Sequence, residues 1–205
     1  MAYAPLDDLK MYLGIADDST DDDLLLRDLL ERASTNIDSY THRNFEARTD
    51  TEYYERDDLD DSGFVLWLGR DLLTVTTLTN GHAIPTVAPF TNVIPDTEYW
   101  LVDAKGKRKS SGPYHAIRLK IDSTYSWEFD VDYWVEVEGT WGYSSSPPDD
   151  VVQATIRLAS YYYAQKDAQV FDVTAVPEAG VITVPQGIPR DVKVIIDHYK
   201  RQGLA

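Results

Sequence analysis

The chain has 205 residues, of which 43% are hydrophobic and 12% aromatic, so it can bury a real core as one domain or as a small domain with a large insertion. Acidic residues outnumber basic ones by 35 to 19, and the net charge of −16 repels nucleic-acid phosphates and argues against tight DNA wrapping. The lack of cysteine excludes disulfides and thiolate metal sites, and neither a membrane-spanning run nor a signal peptide is predicted.

A short first helix is predicted over Leu6–Leu13, where leucines recur at helical spacing before Gly14, a natural helix stop. An acidic loop follows it, and Met1 to Asp61 hold 18 of the acids against six bases. The loop does not fit an EF-hand, because Asp22 stands where that motif needs glycine and Asp28 where it needs a bidentate glutamate. We therefore expect these acids to cap a helix and keep the chain soluble rather than to bind calcium.

The strongest helix signal lies between Thr20 and Phe45. Thr20 and Asp23 fit a capping box, and the aspartates before the helix complement its dipole. Leu24 and Leu25 point away from the main apolar stripe, which predicts contact with a second surface. The stripe itself recurs at three- and four-residue steps and predicts the buried face: Leu26, Leu29, Leu30, Ala33, Ile37 and Tyr40.

Between Thr51 and Tyr143 the apolar period changes from about 3.6 to about 2, which predicts an inserted antiparallel β domain. Asn80-Gly81 is predicted to form a two-residue type I′ hairpin turn. Trp134 breaks the polar face of the last strand, where it is either an interface anchor or covered by a neighbouring loop. The strands are expected at Phe64–Leu68, Leu72–Thr79, Tyr99–Asp103, Tyr114–Asp122 and Ser126–Gly139.

The basic cluster Lys105–Lys109 lies in a loop between two of these strands. It is either a solvated turn or a contact to an acidic neighbour or to phosphate.

Pro147 and Pro148 end the β segment, and a helix is predicted from Asp149 onward. Its apolar residues are spread around the cylinder, which predicts burial on more than one side: Val151, Ala154, Ile156, Leu158, Tyr161 and Tyr162. Two short extended runs follow, at Phe171–Val176 and Val181–Val184. The last predicted element is an amphipathic helix over Pro189–Gln202.

No catalytic, metal or cofactor site is predicted. The four histidines, at His42, His82, His115 and His198, lie on different elements and have no metal-ligand spacing. There is no nucleophile elbow, phosphate-binding glycine loop or dinucleotide fingerprint. Acid pairs are too abundant for any one of them to indicate a glycosidase. The sequence therefore favours a protein that is not an enzyme.

The helical flanks carry a resemblance to a known family. The chain has a short helix, an acidic loop and a long helix that closes with Ile37-Asp-Ser-Tyr-Thr-His-Arg-Asn-Phe45. After the insertion come Val137-Glu-Gly-Thr-Trp-Gly-Tyr143 and the helix that begins near Asp149. Over about residues 5–46 and 137–166 this resembles the head-tail connector, or adaptor, proteins of long-tailed bacteriophages. The β insertion is similar in style only.

The resemblance implies a structural virion protein without a cofactor, assembled in the host cytoplasm and located in the neck between capsid and tail. It would form a ring under the portal, expected to be a dodecamer, and extend the channel through which DNA passes without specific binding. Its partners would be the portal protein and a further neck or tail protein. A net-negative wall suits such a conduit, because it repels the phosphates of a sliding duplex.

The predicted fold class is α+β. A small helical bundle is expected from residues 1–50 and 144–167, with a large inserted antiparallel β domain at 51–143. Residues 168–205 are expected to form an extended C-terminal arm and a docking helix.

Two surfaces are predicted to carry the connector function. Channel-facing charge is assigned to Asp17, Asp18, Asp21 and Asp22, because acids are concentrated in this part of the chain. Docking on the portal is assigned to the apolar face of the terminal helix, formed by Ile188, Val192, Ile195, Ile196 and Tyr199. The alternative for this helix is packing on its own subunit.

The rival interpretation is a β-sandwich module of a virion that binds carbohydrate or a receptor through exposed aromatic residues. Its candidates are Trp67, Trp100, Trp134 and Trp141. Packing within the sheet explains most of them without a ligand, and the flanking helices would have no function in this interpretation.

Overall fold

The computed structural model describes residues 2–83, 92–129, 133–168, 175–176, 180–181 and 187–201. The chain divides into two compact units. The helical unit holds Met1–His42 and Pro147–Gln202, and the β unit holds Arg43–Ser146. The β unit is thus inserted between two helical segments, and the predicted α+β fold class is confirmed.

Helix α1 spans Leu6–Leu13, as predicted. It ends at Gly14, whose φ of 71° lies in the left-handed region that glycine adopts without a side-chain clash. The Gly14 N–H donates to the Met11 carbonyl at 3.2 Å, and the Ile15 N–H donates to the Lys10 carbonyl at 2.9 Å. These bonds satisfy carbonyls that the helix end would otherwise leave unpaired.

Helix α2 spans Asp23–Thr41, so it begins later than the predicted Thr20. The predicted capping box is wrong, because the N-cap residue is Asp22 and no side chain caps the helix. The reason is that Asp22 and Asp23 both form ion pairs with lysines of the helical unit instead.

The C-terminal end of α2 lies at Thr41, and the prediction of a helix extending to Phe45 is wrong. His42 takes a left-handed φ of 54°, which ends the helical path. The Thr41 carbonyl then accepts a hydrogen bond from the Arg201 N–H at 2.8 Å.

One face of α2 is buried, as its periodicity predicts. Leu29 and Tyr40 are half-buried at the border of this face. Leu24 is 81% exposed and lies outside it, so it is available to another surface. The buried residues of the helix are Leu26, Leu30, Ala33, Ser34, Ile37 and Thr41.

Helix α3 spans Asp149–Ala168 and packs against α1 and α2 in the helical unit. Its half-buried Tyr162 hydroxyl accepts a hydrogen bond from the Asn36 amide at 2.7 Å. The guanidinium of Arg32 lies 4.7 Å from the centroid of the same ring. The fully buried residues of α3 are Val151, Ala154, Thr155, Leu158 and Ala159.

The terminal helix is shorter than the predicted Pro189–Gln202. Helix α4 spans Arg190–Ile196, packs on α3, and is followed by a 3-10 turn at Asp197–Tyr199. The Tyr40 hydroxyl of α2 donates a hydrogen bond to the Asp197 carboxylate. The chain after α4 is therefore held by this contact with α2 as well as by the 3-10 turn.

A two-stranded antiparallel ribbon pairs β6, at Ala175–Val176, with β7, at Gly180–Val181. It lies within the region where the two extended runs Phe171–Val176 and Val181–Val184 are predicted. The other residues of those runs lie outside the described residues.

The β unit contains five strands: β1 at Arg48–Tyr54, β2 at Val65–Ala83, β3 at Tyr99–Val102, β4 at Tyr114–Leu119 and β5 at Tyr133–Trp141. They form one antiparallel sheet with the order β1-β5-β2-β4-β3. The strands predicted at Phe64–Leu68 and Leu72–Thr79 are parts of the single long strand β2. The register with β4 shifts between Trp67 and Leu72, so the chain passes this point without a turn.

Apolar residues from the central strands form the core of the β unit. Trp127 and Phe129 pack against it from the segment before β5. The largest fully buried members of this core include Leu66, Leu68, Leu72, Leu78, Ile117 and Trp141.

Asn80-Gly81 does not form the predicted hairpin turn, because β2 continues through it to Ala83. Gly81 does have the positive φ that such a turn would use, at 65°. It lies where the register with β5 shifts between Thr79 and His82. Asn80-Gly81 therefore forms an irregularity within β2. Glycines with positive φ occur at such strand irregularities as well as in hairpin turns.

Of the strand predicted at Ser126–Gly139, residues 126–129 are not in a strand, and β5 spans Tyr133–Trp141. The buried side chain of Asn80 explains the difference near its start. Its amide nitrogen donates to the Ser126 carbonyl at 2.7 Å, and its oxygen accepts from the Glu128 N–H at 2.9 Å. This segment is thus held by a side chain rather than by a strand ladder.

The two ends of the β unit are tied together. The Tyr143 N–H donates to the Asn44 carbonyl at 2.7 Å, and the Arg43 guanidinium lies 5.2 Å from the centroid of the Tyr143 ring. Arg43 also donates to both carboxylate oxygens of the buried Asp71, at 2.8 and 2.7 Å. The Gly142 N–H donates to the Asp71 carbonyl at 2.8 Å. One buried ion pair thus joins the entry and the exit of the insertion.

The substitution Ile37→Ala tests the core face of α2. Ile37 is fully buried, so its loss should lower the free energy of unfolding by about 2–5 kcal/mol. Ser39→Ala, on the exposed face of the same helix, should change it by about 0.5 kcal/mol or less. Urea unfolding of both variants measures the difference, and equal stabilities would contradict this helix phase.

The substitution Gly139→Ala tests the packing of the sheet. An added Cβ at Gly139 would lie 2.2 Å from the Thr74 carbonyl oxygen, and β5 is paired on both sides there. We expect a loss of about 3 kcal/mol, at the upper end of overpacking costs. Gly69→Ala is the matched control in β2, because nothing lies within 4 Å of its added Cβ. Similar urea midpoints for the two variants would refute the close strand approach.

Candidate functional site

The acidic loop between α1 and α2 is organised by a buried lysine. Lys10 is 3% exposed, and its ammonium lies 2.6 Å from a carboxylate oxygen of Asp23. It also donates to the backbone carbonyls of Ser19 at 2.8 Å and Asp17 at 3.4 Å. A buried ammonium is stable only with such partners, so the loop closes around this cation.

The four acids predicted to carry channel charge lie in two environments. Asp17, Asp18 and Asp21 are exposed, and within the described part of the chain their carboxylates form no ion pair. Asp22 accepts a hydrogen bond from the Tyr163 hydroxyl at 2.6 Å and pairs with the Lys166 ammonium at 3.1 Å. These two hydrogen bonds, that of Tyr163 first, lower the pKa of Asp22. The channel-facing role of the four acids stays a prediction.

The residues predicted to dock on a portal protein are Ile188, Val192, Ile195, Ile196 and Tyr199. Val192 and Ile196 are fully buried within the helical unit, and the other three are half-buried. Arg157 of α3 pairs with Asp191 of α4 at 3.2 Å. On this helix the large exposed apolar side chain is Val194, which faces away from the packed side. Docking on a portal stays a prediction, and a partner would meet Val194 before the buried pair.

The tryptophans of the rival carbohydrate-binding interpretation are in contact with other side chains of the β unit. Trp141 is fully buried. Trp134 contacts Tyr53 edge to face, with 6.2 Å between ring centroids. Trp67 and Trp100 are half-buried against a small cluster that includes Val102. This arrangement agrees with packing in the sheet and does not favour a sugar-stacking platform.

Two cationic side chains lie over the aromatic ring of Trp100. The Arg108 guanidinium carbon lies 3.3 Å from the centroid of its ring, and the Lys120 ammonium lies 4.1 Å from it. Arg118 donates to the Gly106 carbonyl at 3.1 Å. These contacts hold positive charge at defined positions on one side of the β unit.

A cavity of about 800 Å³ opens beside the Trp100 ring. Arg118 and Lys120 line it together with Phe64 and Ile121. Ile121 is 95% exposed, and Phe64 is also exposed. Asp60 and Asp122 line it as well, so the cavity combines charged side chains of both signs with an apolar rim.

The histidines lie on separate elements, as the sequence predicts. His115 is buried, with one ring nitrogen 3.3 Å from a carboxylate oxygen of Asp71, whereas His42 and His198 are exposed. The side chain of His82 lies outside the described residues. Among the side chains that the structure describes, no group of three or more is arranged to hold a metal ion.

None of the helices in the described ranges is long and apolar enough to cross a membrane.

Sequence reasoning missed the roles of Lys10 and of the Trp100 side chain. A signal for the first exists, because Lys10 follows Leu6 by four residues and precedes Leu13 by three, which places it near the apolar side of α1. The second depends on pairing of Val102 with Arg108, which folds the basic loop back onto β3. No local pattern indicates that contact.

Comparison with known proteins finds a family match and similar solved structures. Residues 3–62 match a family described as phage gp6-like head-tail connector proteins. The chain is similar to a protein in the neck of an empty gene transfer agent particle, with a TM-score of 0.62, 19% identity, and coverage of 98% of this chain and 91% of that chain. The chain is also similar to a protein in the virion of a native gene transfer agent particle, with 20% identity and the same coverage and TM-score.

A third similar structure is a neck of the native particle computed with C12 symmetry, with a TM-score of 0.56 and 18% identity over 98% of this chain and 90% of that chain. No protein of curated function matches the chain in sequence. At these identities the structural likeness shows the fold, and it extends over both units. The resemblance predicted from the sequence is confirmed by the family match, which covers α1, α2 and β1.

The hydrogen bonds of Asp22 predict a pH-dependent contribution to stability. Because its pKa in the folded chain is below the ordinary value, its bonds stabilise the fold fully above that ordinary value and are lost as pH falls through the folded pKa. Asp22→Asn should therefore be less stable than the natural chain near pH 7, and the gap should narrow in acid, as the pH falls through the lowered pKa of Asp22.

Urea unfolding near pH 7 and in acid measures this gap. Asp21→Asn is the control, because Asp21 is exposed and makes no ion pair within the described residues. A gap for Asp22→Asn that is the same at both pH values would contradict the role of the carboxylate.

Proposed function

We propose that this chain, whose residues 3–62 carry the sequence pattern of the phage gp6-like head-tail connectors, is a structural connector in the neck of a virion. The observation that carries the proposal is this family match at the N-terminal helices. The fold supports it, since the likeness to neck proteins of gene transfer agent particles covers 98% of the chain. Catalysis and cofactor binding are not part of the proposed function.

The connector would act as a ring around the path of the DNA. The similar neck structures were computed with C6 and C12 symmetry, which supports a closed ring of identical subunits. A ring needs a heterologous contact, in which two different surfaces of the same chain meet. Leu24 and Ile121 are large apolar side chains that remain exposed on this chain and are suited to such contacts.

The proposed ring joins the capsid portal to a further neck or tail protein and extends the DNA channel. The net charge of −16 supports a conduit, because it disfavours lasting contacts with phosphates. The C-terminal helix is the proposed contact to the portal.

Particles assembled without this chain test the connector role. We expect filled or partly filled capsids that lack attached tails, because the portal would have no adaptor to the rest of the neck. Electron microscopy of the particles measures the fraction with tails, and supplying the chain in trans should restore them. Normal tailed particles in its absence would refute the proposed function.

The C-terminal helix can be tested with two neighbouring valines. Val192→Ala should lower stability by about 1–3 kcal/mol, because Val192 is fully buried in the helical unit. Val194→Asp should leave stability within about 0.5 kcal/mol, because Val194 is exposed. If the helix docks on the portal, Val194→Asp should weaken binding to portal-bearing capsids, as measured by co-sedimentation. Unchanged binding by this folded variant would refute docking through this helix.

A further inference from the structure

The chain carries two segments of opposite charge, one in each unit. Ile15–Asp28, in the helical unit, contains six acids and one base. Tyr99–Lys120, in the β unit, contains six bases and one acid. In a chain with a net charge of −16, the second segment is a local exception. A contact to an acidic surface is one explanation of its basic character.

The acidic segment presents free charge around an apolar side chain. Asp17, Asp18, Asp21 and Asp28 are exposed, and the part of the chain that the structure describes shows no ion pair for their carboxylates. Leu24 is 81% exposed among them. Because Lys10 fixes the loop backbone from inside, these side chains are displayed on a preorganised surface.

The basic segment also presents free charge beside an apolar site. Its single acid, Asp103, is used within the loop, where it accepts hydrogen bonds from the backbone N–H groups of Lys105 and Lys107 at 2.8 Å. The ammonium groups of these two exposed lysines form no ion pair among the described residues. Asp103 thus shapes the loop and leaves the lysine side chains projecting.

The cavity beside Trp100 supplies an apolar site next to these cations. Phe64 and Ile121 form an exposed apolar rim, and Lys120 lies in the wall. Asp60 also lines the cavity, but its carboxylate accepts from the backbone N–H groups of Phe64 and Val65 at 3.1 and 3.0 Å. Asp122 lines the cavity as well, so two carboxylates stand beside Arg118 and Lys120. The cavity therefore contributes an apolar site for a docked side chain, while the exposed lysines of the basic segment contribute the attraction for acids.

We propose that the acidic segment Ile15–Asp28 of one subunit docks on the basic segment and cavity of the next subunit, with Leu24 against the apolar rim. The inference rests on the proposed ring and supplies its heterologous contact. The occupant is a second copy because this chain itself carries a complementary surface, with four exposed aspartates and an exposed apolar side chain among them. Charge complementarity would set the register of the subunits, and apolar burial would hold them.

In this arrangement Asp17, Asp18 and Asp21 face a neighbouring subunit rather than the DNA. The other occupant of a basic loop is the phosphate backbone of DNA. A Trp100 ring already covered by Arg108 at 3.3 Å is less suited to stacking on a base, so the structure favours a protein partner.

Cysteine cross-linking tests the contact directly, because the natural chain has no cysteine. Copies with Asp18→Cys are mixed with copies with Lys107→Cys, assembled on portal-bearing capsids and oxidised. We expect disulfide-linked pairs that contain one copy of each kind, on non-reducing gels. Ser39→Cys mixed with Lys107→Cys is the control, since Ser39 is exposed on α2 outside the acidic segment. Cross-linking no greater than in this control, on particles that carry the assembled chain, would overturn the contact.

Charge reversal provides a second measurement. Lys105→Glu with Lys107→Glu should weaken subunit association about tenfold, and Asp17→Lys with Asp18→Lys should do the same. The two double variants mixed together should associate with each other again, and added salt should weaken the natural contact. Weakening without recovery in the mixture would overturn the inference and point to DNA as the partner of the lysines. Failure of the natural chain to join necks at all would refute the proposed function instead.

Discussion

The surface that this protein offers to partners depends on the burial of one cation. Asp17–Asp23 include five aspartates, which would repel one another in a compact loop. The ammonium of Lys10 lies inside that loop, against the Asp23 carboxylate and the Ser19 and Asp17 carbonyls. Removing it would take the shared donor away from these partly buried acceptors, which costs more than an exposed ion pair contributes. The shape of the acidic segment, and with it any contact made by Leu24, thus follows from α1.

The helices were predictable because their signal is local. The stripe of α2 repeats every three or four residues, and the sequence places Leu26, Leu30, Ala33 and Ile37 on the buried face that the structure shows. The helix start was not predictable, because it depends on distant partners. Asp22 bonds Tyr163, which lies 141 residues further along the chain, so a side chain that is suited to capping is used for tertiary contact.

In the β unit, a local signal that correctly predicts the backbone conformation of Gly81 led to the prediction of a turn where the structure has a strand. Asn80-Gly81 predicts positive φ, and Gly81 has it, but the buried Asn80 amide binds both Ser126 and Glu128. Those bonds make a strand irregularity more favourable than a turn. The candidate docking cavity was even less accessible to sequence reasoning. Its lining combines Trp100 with residues from 60–65 and 118–122, which only the pairing of the strands brings together.

Opposite charges placed in separate segments resolve a conflict that any DNA conduit made of identical subunits meets. The subunits must attract one another, yet their walls must not hold phosphates. Ile15–Asp28 has an excess of acids and Tyr99–Lys120 an excess of bases, so docking one on the other brings opposite charges together. Asp22 and Asp23 are already paired within their own subunit, which leaves Asp17, Asp18, Asp21 and Asp28 for this contact. The net charge of each subunit is −16, so the assembled ring stays strongly negative. Attraction is confined to the subunit contact, and repulsion of the duplex is left intact everywhere else.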